Sequence, residues 1–85
     1  MFYVYILRSQ KNGRHYIGQT KNLDDRLNRH NSGRERSTKS GAPWDLIFTK
    51  SFLTRSEAFQ LEQKLKGFKS RSRVLDYIKQ QQEEE

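Results

Sequence analysis

The 85-residue chain has no cysteine, one proline, one tryptophan and one methionine. Without cysteine there is neither a disulfide nor thiolate-ligated zinc, and a reducing compartment is permitted. The N-terminal apolar stretch Phe2 to Leu7 is too short for a secretory leader and runs straight into Arg8. No stretch approaches the about 20 apolar residues that span a bilayer. The expected setting is the cytoplasm, with no membrane partner. No glycine-rich phosphate cradle is present, and no Ser-His-Asp or Cys-His arrangement suggests acyl transfer. The two histidines, His15 and His30, stand fifteen residues apart, with His15 on the other strand face from Tyr16. They do not make a zinc site.

Acid is scarce relative to base. Seventeen Lys and Arg face ten Asp and Glu, giving +7, and three of the acids are the terminal Glu83-Glu84-Glu85. Up to Gln82 the balance is 17 against 7. So dense a positive charge meets polyanions, although a solvated surface or electrostatic affinity for membranes would use the same residues. Hydrophobic and charged residues each make up 32%. The apolar ones fall in four periodic segments, which excludes a disordered chain. One domain, residues 1–82, is expected, with a frayed acidic tail at 83–85. A chain this short buries only about 60–65% of its unfolded surface, so polar residues at core positions need a reason.

Phe2 to Ser9 reads as a buried strand, with Phe2, Val4 and Ile6 on one face and Tyr3, Tyr5 and Leu7 on the other. Lys11-Asn12-Gly13 is a hairpin signal, because Asn and Gly tolerate positive φ. Arg14 to Thr20 returns as a second strand. A helix follows over Leu23 to Ser32, capped by Asn22, favoured by Asp24 and Asp25 at its positive end and stopped by Gly33. A polar loop leads to a third strand, Trp44 to Phe52. Thr54-Arg55-Ser56-Glu57 is a capping box that opens a second helix ending near Gly67. Ser70 caps a last helix, Arg71 to about Gln81, with Val74, Leu75 and Ile78 as its apolar face. The order β-β-α-β-α-α predicts an α+β domain, a small three-stranded sheet flanked by helices. The first two strands must be antiparallel; pattern alone leaves the pairing of the third open.

Two hairpin registers are possible. If Ser9 pairs with Arg14, Leu7 stands opposite Tyr16 and Tyr5 opposite Gly18; a two-residue loop shifts the pairs by two and preserves the faces. Either way Tyr5 and Tyr16 share a face, and in the first case they are diagonal neighbours with Gly18 leaving space between. Tyr3 is read as packing, its hydroxyl at an edge. In the first helix Leu23, Arg26, Leu27 and His30 follow the spacing of a buried stripe. An arginine and a histidine thus occupy positions where apolar residues would be cheaper. Burying a guanidinium is unfavourable unless anions or hydrogen bonds satisfy it. In the second helix Glu62 lies beside the Ala58, Leu61 and Leu65 stripe, either as a site carboxylate or as a rim residue paired with Lys66 at i+4. Glu57 is only the capping-box residue.

The patches Tyr3-Val4-Tyr5 and Tyr16-Ile17-Gly18, followed by Arg26, the His30-Asn31 pair and Glu62, resemble the GIY-YIG nuclease signature. The resemblance runs from about Phe2 to Ile78 and is strongest to the short, stand-alone branch of that family. It implies a three-stranded antiparallel sheet with the Phe2 strand in the centre. It also implies an endonuclease that hydrolyses phosphodiester bonds of DNA with one divalent ion, Mg²⁺ or Mn²⁺. The implied site is Tyr5, Tyr16, Arg26, His30 and Glu62. The chain departs from the pattern in two places. Tyr3 stands where the first Gly is expected, and no Asn follows Asn31, so Gln63 or a lysine in Lys64 to Lys69 substitutes or catalysis is weakened.

One hard carboxylate, Glu62, with no second close in pattern, suits a single ion completed by water and phosphate oxygens. The resemblance implies a tyrosine general base; the reading adopted is Tyr5 as base and Tyr16 as positioner of phosphate or water. His30 would accept or orient the phenolic proton, and Arg26 would clamp the phosphate. Arg29, Arg34, Arg36 and Lys39 on one side, and Lys64, Lys66, Lys69, Arg71 and Arg73 on the other, could line a nucleic-acid groove or be solvated faces. Such phosphate contacts give affinity without reading sequence. Structure-directed or weakly sequence-specific cutting in DNA repair or recombination, with specificity lent by a protein partner, is therefore expected. The alternatives are a non-catalytic DNA- or RNA-binding module and a small subunit of a larger repair complex.

Overall fold

The computed structural model describes residues 1–83. Strands β1 (Phe2–Ser9) and β2 (His15–Thr20) are followed by α1 (Leu23–Asn31) and a short 3₁₀ turn at Lys39–Gly41. Strand β3 (Trp44–Phe52) precedes α2 (Arg55–Phe68) and α3 (Arg71–Glu83). The sheet is antiparallel throughout, in the order β2-β1-β3. The Phe2 strand is therefore central, and β2 is an edge. The pairing that pattern left open is set by β3 running back along β1, from Phe2 opposite Phe52 to Ser9 opposite Trp44. A bulge between Ile6 and Leu7 interrupts that register.

The hairpin takes the longer loop. Ser9 N–H donates to the Arg14 carbonyl at 2.8 Å, and Tyr5 pairs with Gly18 and Leu7 with Tyr16. The Ser9 hydroxyl accepts from the Lys11 and Asn12 amides, and Asn12 Oδ1 accepts from the Arg14 amide. Gly13 supplies the positive φ (74°) that closes the turn.

Each sheet face has its own core. Val4 and Ile6 pack against Ala58, Leu61 and Leu65 of α2 and Val74 and Ile78 of α3. Full burial of a side chain of this size contributes about 1.5–3 kcal/mol, so this cluster is the main source of stability. On the other face Tyr5, Leu7 and Trp44 are buried with Tyr16, Leu23, Leu27 and Ala42 around them, under α1. That second core is aromatic and partly polar, and it holds the candidate site.

Caps form where the sequence places them. Asn22 Oδ1 accepts the Asp25 amide at 3.0 Å, and Thr54 Oγ1 accepts the Glu57 amide at 3.2 Å. The return half of the second cap differs from an ideal box, because the Thr54 hydroxyl itself donates to Glu57 Oε1. Ser32 is the C-cap of α1 rather than its last residue. Helix α2 runs past Gly67 to Phe68, and Lys69 takes the left-handed cap (φ 52°). Phe68, packed against the core, carries the helix one residue beyond the glycine. Ser70 does precede α3: its carbonyl accepts from the Val74 amide, but its hydroxyl turns to that of Ser72. Helix α3 buries Val74 and Ile78 with Tyr77 packed alongside, an i, i+3, i+4 stripe. Leu75 is thereby rotated outward and is 46% exposed, contrary to its expected place in the core. The helix continues to Glu83; the rest of the acidic tail lies outside the described residues. Among the described residues no helix is long and apolar enough to cross a membrane.

Candidate active site

Hairpin register brings the first two site residues together. Tyr5 and Tyr16 rings lie 6.3 Å apart between centroids on the α1 face. Gly18, opposite Tyr5, lies under both. A Cβ there would stand 2.6 Å from the Tyr5 hydroxyl oxygen and 3.3 Å from Tyr16 Cε1. The glycine is required for close approach of the two rings, with no contribution from backbone conformation.

Helix α1 supplies the third partner. His30, at the end of the Leu23–Leu27 stripe, is 1% exposed, and its ring lies 4.8 Å from that of Tyr16, tilted by 58°. Its Nε2 is 3.0 Å from the Tyr5 hydroxyl and its Nδ1 is 2.7 Å from Thr38 Oγ1. Burial, and secondarily Arg26, hold the His30 pKa below the ordinary histidine value despite an opposing pull from Glu35. A neutral ring has one donor and one acceptor nitrogen. The Thr38 hydroxyl donates to the Glu35 carbonyl at 3.4 Å, so the network assigns the hydrogen to Nδ1. Tyr5 then donates to Nε2, and Nδ1–H donates to Thr38. Burial first, and then Tyr16, push the Tyr5 pKa well above the usual tyrosine range, while Arg26 pulls against them. In the free domain Tyr5 is therefore a neutral phenol and His30 a neutral base.

Arg26 is half-buried on the same stripe. Its Nε is buried and has no hydrogen-bond partner among the described residues. An N–H of a cation left unsatisfied beside a phenol and an imidazole is suited to an incoming anion.

Several residues of this assembly carried no periodic signal. Thr38 lies in the irregular loop and is fully buried. Its carbonyl accepts from Trp44 Nε1 at 2.8 Å. Gly41 lets the Trp44 ring lie flat on the chain, since a Cβ would stand 2.5 Å from Cζ2. Asn31, noted only as half of a pair, is a clamp. Its Oδ1 accepts the Trp44 amide at 2.6 Å and its Nδ2 donates to the Trp44 carbonyl at 3.2 Å. The end of α1 is thus tied to the start of β3, which fixes His30 over the sheet.

Glu62 is placed differently. It is 8% exposed, with Oε1 accepting from Gln19 Nε2 at 2.9 Å and Oε2 paired with Lys66 Nζ at 2.7 Å. Strand alternation puts Gln19 on the face opposite Gly18 and Tyr16. The carboxylate is therefore held on the α2 side of β2, while the tyrosines, His30 and Arg26 gather on the α1 side. Because β2 is the edge strand, the two groups are separated by its rim alone. Among the described residues no three His, Cys, Asp or Glu side chains converge. The residues present still fit a single hydrated ion. Gln19 orients one carboxylate oxygen, and Lys66, whose side chain is 49% exposed, can leave the other at little cost.

The basic residues do not form one surface. Lys66, Lys69 and Arg71 border a groove of about 430 Å³ along β2, joined by Arg14 and His15, which sequence reasoning had not selected. Lys64 and Arg73 lie elsewhere, over the rings of Tyr77 and Phe68. Arg29 is paired with Asp25 at 3.3 Å and Glu35 at 3.8 Å, so much of its charge is met locally. Arg34 donates to Ser32, and Arg36 and Lys39 are exposed in the loop.

The structure is a small α+β domain with paired strand tyrosines over a glycine and a helix arginine and histidine above them. Residues 1–74 match the GIY-YIG catalytic domain. A UPF0213 protein of Oceanobacillus iheyensis is 38% identical over 65 residues, covering 75% of this chain and 74% of that protein. Another, from Streptococcus agalactiae serotype V, is 34% identical over 84 residues, covering 98% and 93%. The solution NMR structure of a UPF0213 protein from Bacillus halodurans superposes with a TM-score of 0.58 at 32% identity, over 93% of this chain and 84% of that one. The chain belongs to the GIY-YIG family, and its relatives here are stand-alone UPF0213 proteins.

Proposed function

We propose that this domain is a cytoplasmic, metal-dependent endonuclease that hydrolyses phosphodiester bonds of DNA. The observation that supports it most is the hydrogen-bonded chain Tyr5–His30–Thr38 beside the unsatisfied Nε of Arg26. A merely structural aromatic core would not need a guanidinium with a buried, unpartnered Nε–H next to a phenol–imidazole pair.

In this reading the scissile phosphate is bound by Arg26 through a non-bridging oxygen, where the guanidinium meets charge that develops in the transition state. Tyr5 passes its hydroxyl proton to His30 Nε2 and takes one from the attacking water. His30 becomes an imidazolium held by Thr38 through Nδ1–H. Both shifts oppose this transfer in the free protein, so forming the phenolate would rely on the positive charge of Arg26 and of a divalent ion held nearby. Tyr16, across Gly18, positions the phosphate or the water. A divalent ion on Glu62 would act as a Lewis acid and stabilise the leaving oxygen. Gln19 would hold the carboxylate, and Lys66 would move aside.

The basic groove beside Tyr16 supports binding of DNA through its phosphates without sequence readout. Cutting directed by substrate structure, or by a partner protein in repair or recombination, is the corresponding use. A second reading, a non-catalytic nucleic-acid module, draws on the Lys66–Glu62 pair, which fills the carboxylate with the protein's own cation. Nicking of supercoiled plasmid with Mg²⁺, by wild type and by Glu62→Gln, separates them. The nuclease reading expects nicking by the first alone, and absence of nicking by purified wild type overturns it.

A further inference from the structure

The groove along β2 is more than a row of cations. Its floor is apolar, presented by Ile17 with the buried Leu65 and Val74 beneath, and Tyr16 is common to its wall and to the candidate active site. At about 430 Å³ it falls within the about 300–1,000 Å³ range of small-ligand sites. Arg71 reaches across it from α3 to the hairpin, its Nη1 3.3 Å from where a Cβ on Gly13 would stand. His15, on the strand side, has a buried Nδ1 with no hydrogen-bond partner among the described residues. Burial, then Arg71 and Arg8, keep the His15 pKa below the ordinary histidine value. Arg14, Lys66 and Lys69 complete the charges around the groove. The ring is thus a neutral hydrogen-bonding group in a cationic setting.

We propose that this groove is a subsite for one unpaired nucleotide of the bound strand, next to the phosphate presented to Tyr5 and Tyr16. Its phosphate lies between Arg71 and Lys69, its sugar and base lie on the apolar floor at Ile17, and the His15 ring flanks it. The proposal rests on the nucleic-acid reading above and adds which nucleotide the protein handles individually. A row of phosphate contacts alone needs no apolar floor. A nucleotide inside a duplex keeps its base turned away from the protein, so the floor can be covered only where the strand is unpaired. Single strands are held in this way, by a positive groove with a surface on which a base can lie.

The test is an NMR titration of the full-length ¹⁵N-labelled protein with thymidine 3′,5′-bisphosphate, with inorganic phosphate as a second probe. Shifts are expected at His15, Tyr16, Lys69 and Arg71, with phosphate alone binding at least about ten-fold more weakly. Arg71→Ala should weaken the nucleotide by about ten-fold. Arg73→Ala, the same charge change two residues away on Phe68, should weaken it by less than about two-fold. Both arginines are exposed, and the amide spectra confirm that each variant is folded. Equal losses in the two variants, or equal binding of phosphate and nucleotide, would overturn the subsite. Plasmid nicking is scored separately. A protein that binds the nucleotide but never nicks keeps the subsite and loses the nuclease reading; one that nicks without binding it does the reverse.

Discussion

Gly18 supports the Tyr5 hydroxyl from below, so closely that a methyl group at position 18 would lie 2.6 Å from that oxygen. The Tyr5 oxygen is also the one that meets His30 Nε2 at 3.0 Å. A backbone position on the edge strand therefore decides whether a residue of the central strand can reach a residue of the helix above.

Gly18→Ala should accordingly displace Tyr5 from His30. Cleavage should be lost, with a destabilisation of about 1–3 kcal/mol from overpacking. Adding Tyr5→Phe removes the nearest clashing atom but leaves Cζ, which would stand 2.8 Å from the new methyl, so the double variant should recover part of the stability lost in Gly18→Ala while remaining inactive. Thermal unfolding of the three proteins checks this, and a double variant no more stable than the single would refute the contact.

Lys66 and Glu62 should respond in opposite senses. Glu62→Gln should abolish nicking and leave fold and DNA binding close to wild type, because it removes the proposed metal ligand and little apolar area. Lys66→Ala frees Oε2 of a competing ammonium, so Mn²⁺ should bind more tightly by calorimetry even as the groove loses one cation for DNA. If Lys66→Ala leaves Mn²⁺ affinity unchanged, the ion is not bound at Glu62.

Stability should fall as pH drops from about 7 to 5. His30 and His15 both have folded pKa values below their unfolded value of about 6.5. A depressed folded value means the unfolded chain takes up protons first, so stability is complete above the unfolded pKa and is lost below it. Because burial is the main cause at each site, salt should alter the slope little. His30→Gln should flatten the melting temperature–pH curve in this window, His15→Gln should flatten it further, and an unchanged slope in both would contradict the buried-neutral assignment.

The parts of the site that repeat with a structural period were legible in the sequence. Tyr5, Tyr16 and Gly18 share a face by alternation, and Arg26 and His30 share one by helical spacing. What was not legible depends on where irregular chain passes. Thr38 and Gly41 lie in a loop without period, and become meaningful only once Trp44 and His30 are seen to rest on them. Asn31 reads as a polar helix end until β3 arrives beside it. The basic residues of α2 and α3 looked like one cluster, but Arg71 and Arg73 are about 200° apart around the helix, and they face different surfaces. Leu75 failed for the same reason: Tyr77 proved the better partner for the core, and rotated it out.

Arg26→Ala should cost cleavage about 100–1,000-fold, the scale of removing one transition-state donor. DNA affinity should barely change, because in the proposed function Arg26 would be one phosphate contact among many, and binding should still weaken with salt at a log–log slope of about −0.9 per phosphate neutralised. Equal losses of binding and cleavage would recast Arg26 as an ordinary docking residue and leave its unpaired Nε unexplained.

Tyr5→Phe and Tyr16→Phe test the shared face most sharply, since each removes a hydroxyl and keeps the ring. Stability should change by no more than about 1–2 kcal/mol. If the rings were only core, both variants would cut normally. If they flank one phosphate, both should be impaired, and loss of the base should be the more severe and should alter the pH–rate profile. Tyr5 has the proton acceptor, His30 Nε2, at 3.0 Å, and its strongly raised pKa means that this proton leaves only with help. Tyr5→Phe is therefore expected to be the more damaging. His30→Gln should resemble it, because an amide can accept a hydrogen bond but cannot store the proton. A normal Tyr5→Phe beside an inactive Tyr16→Phe would keep the site where it is and transfer the role of base to Tyr16.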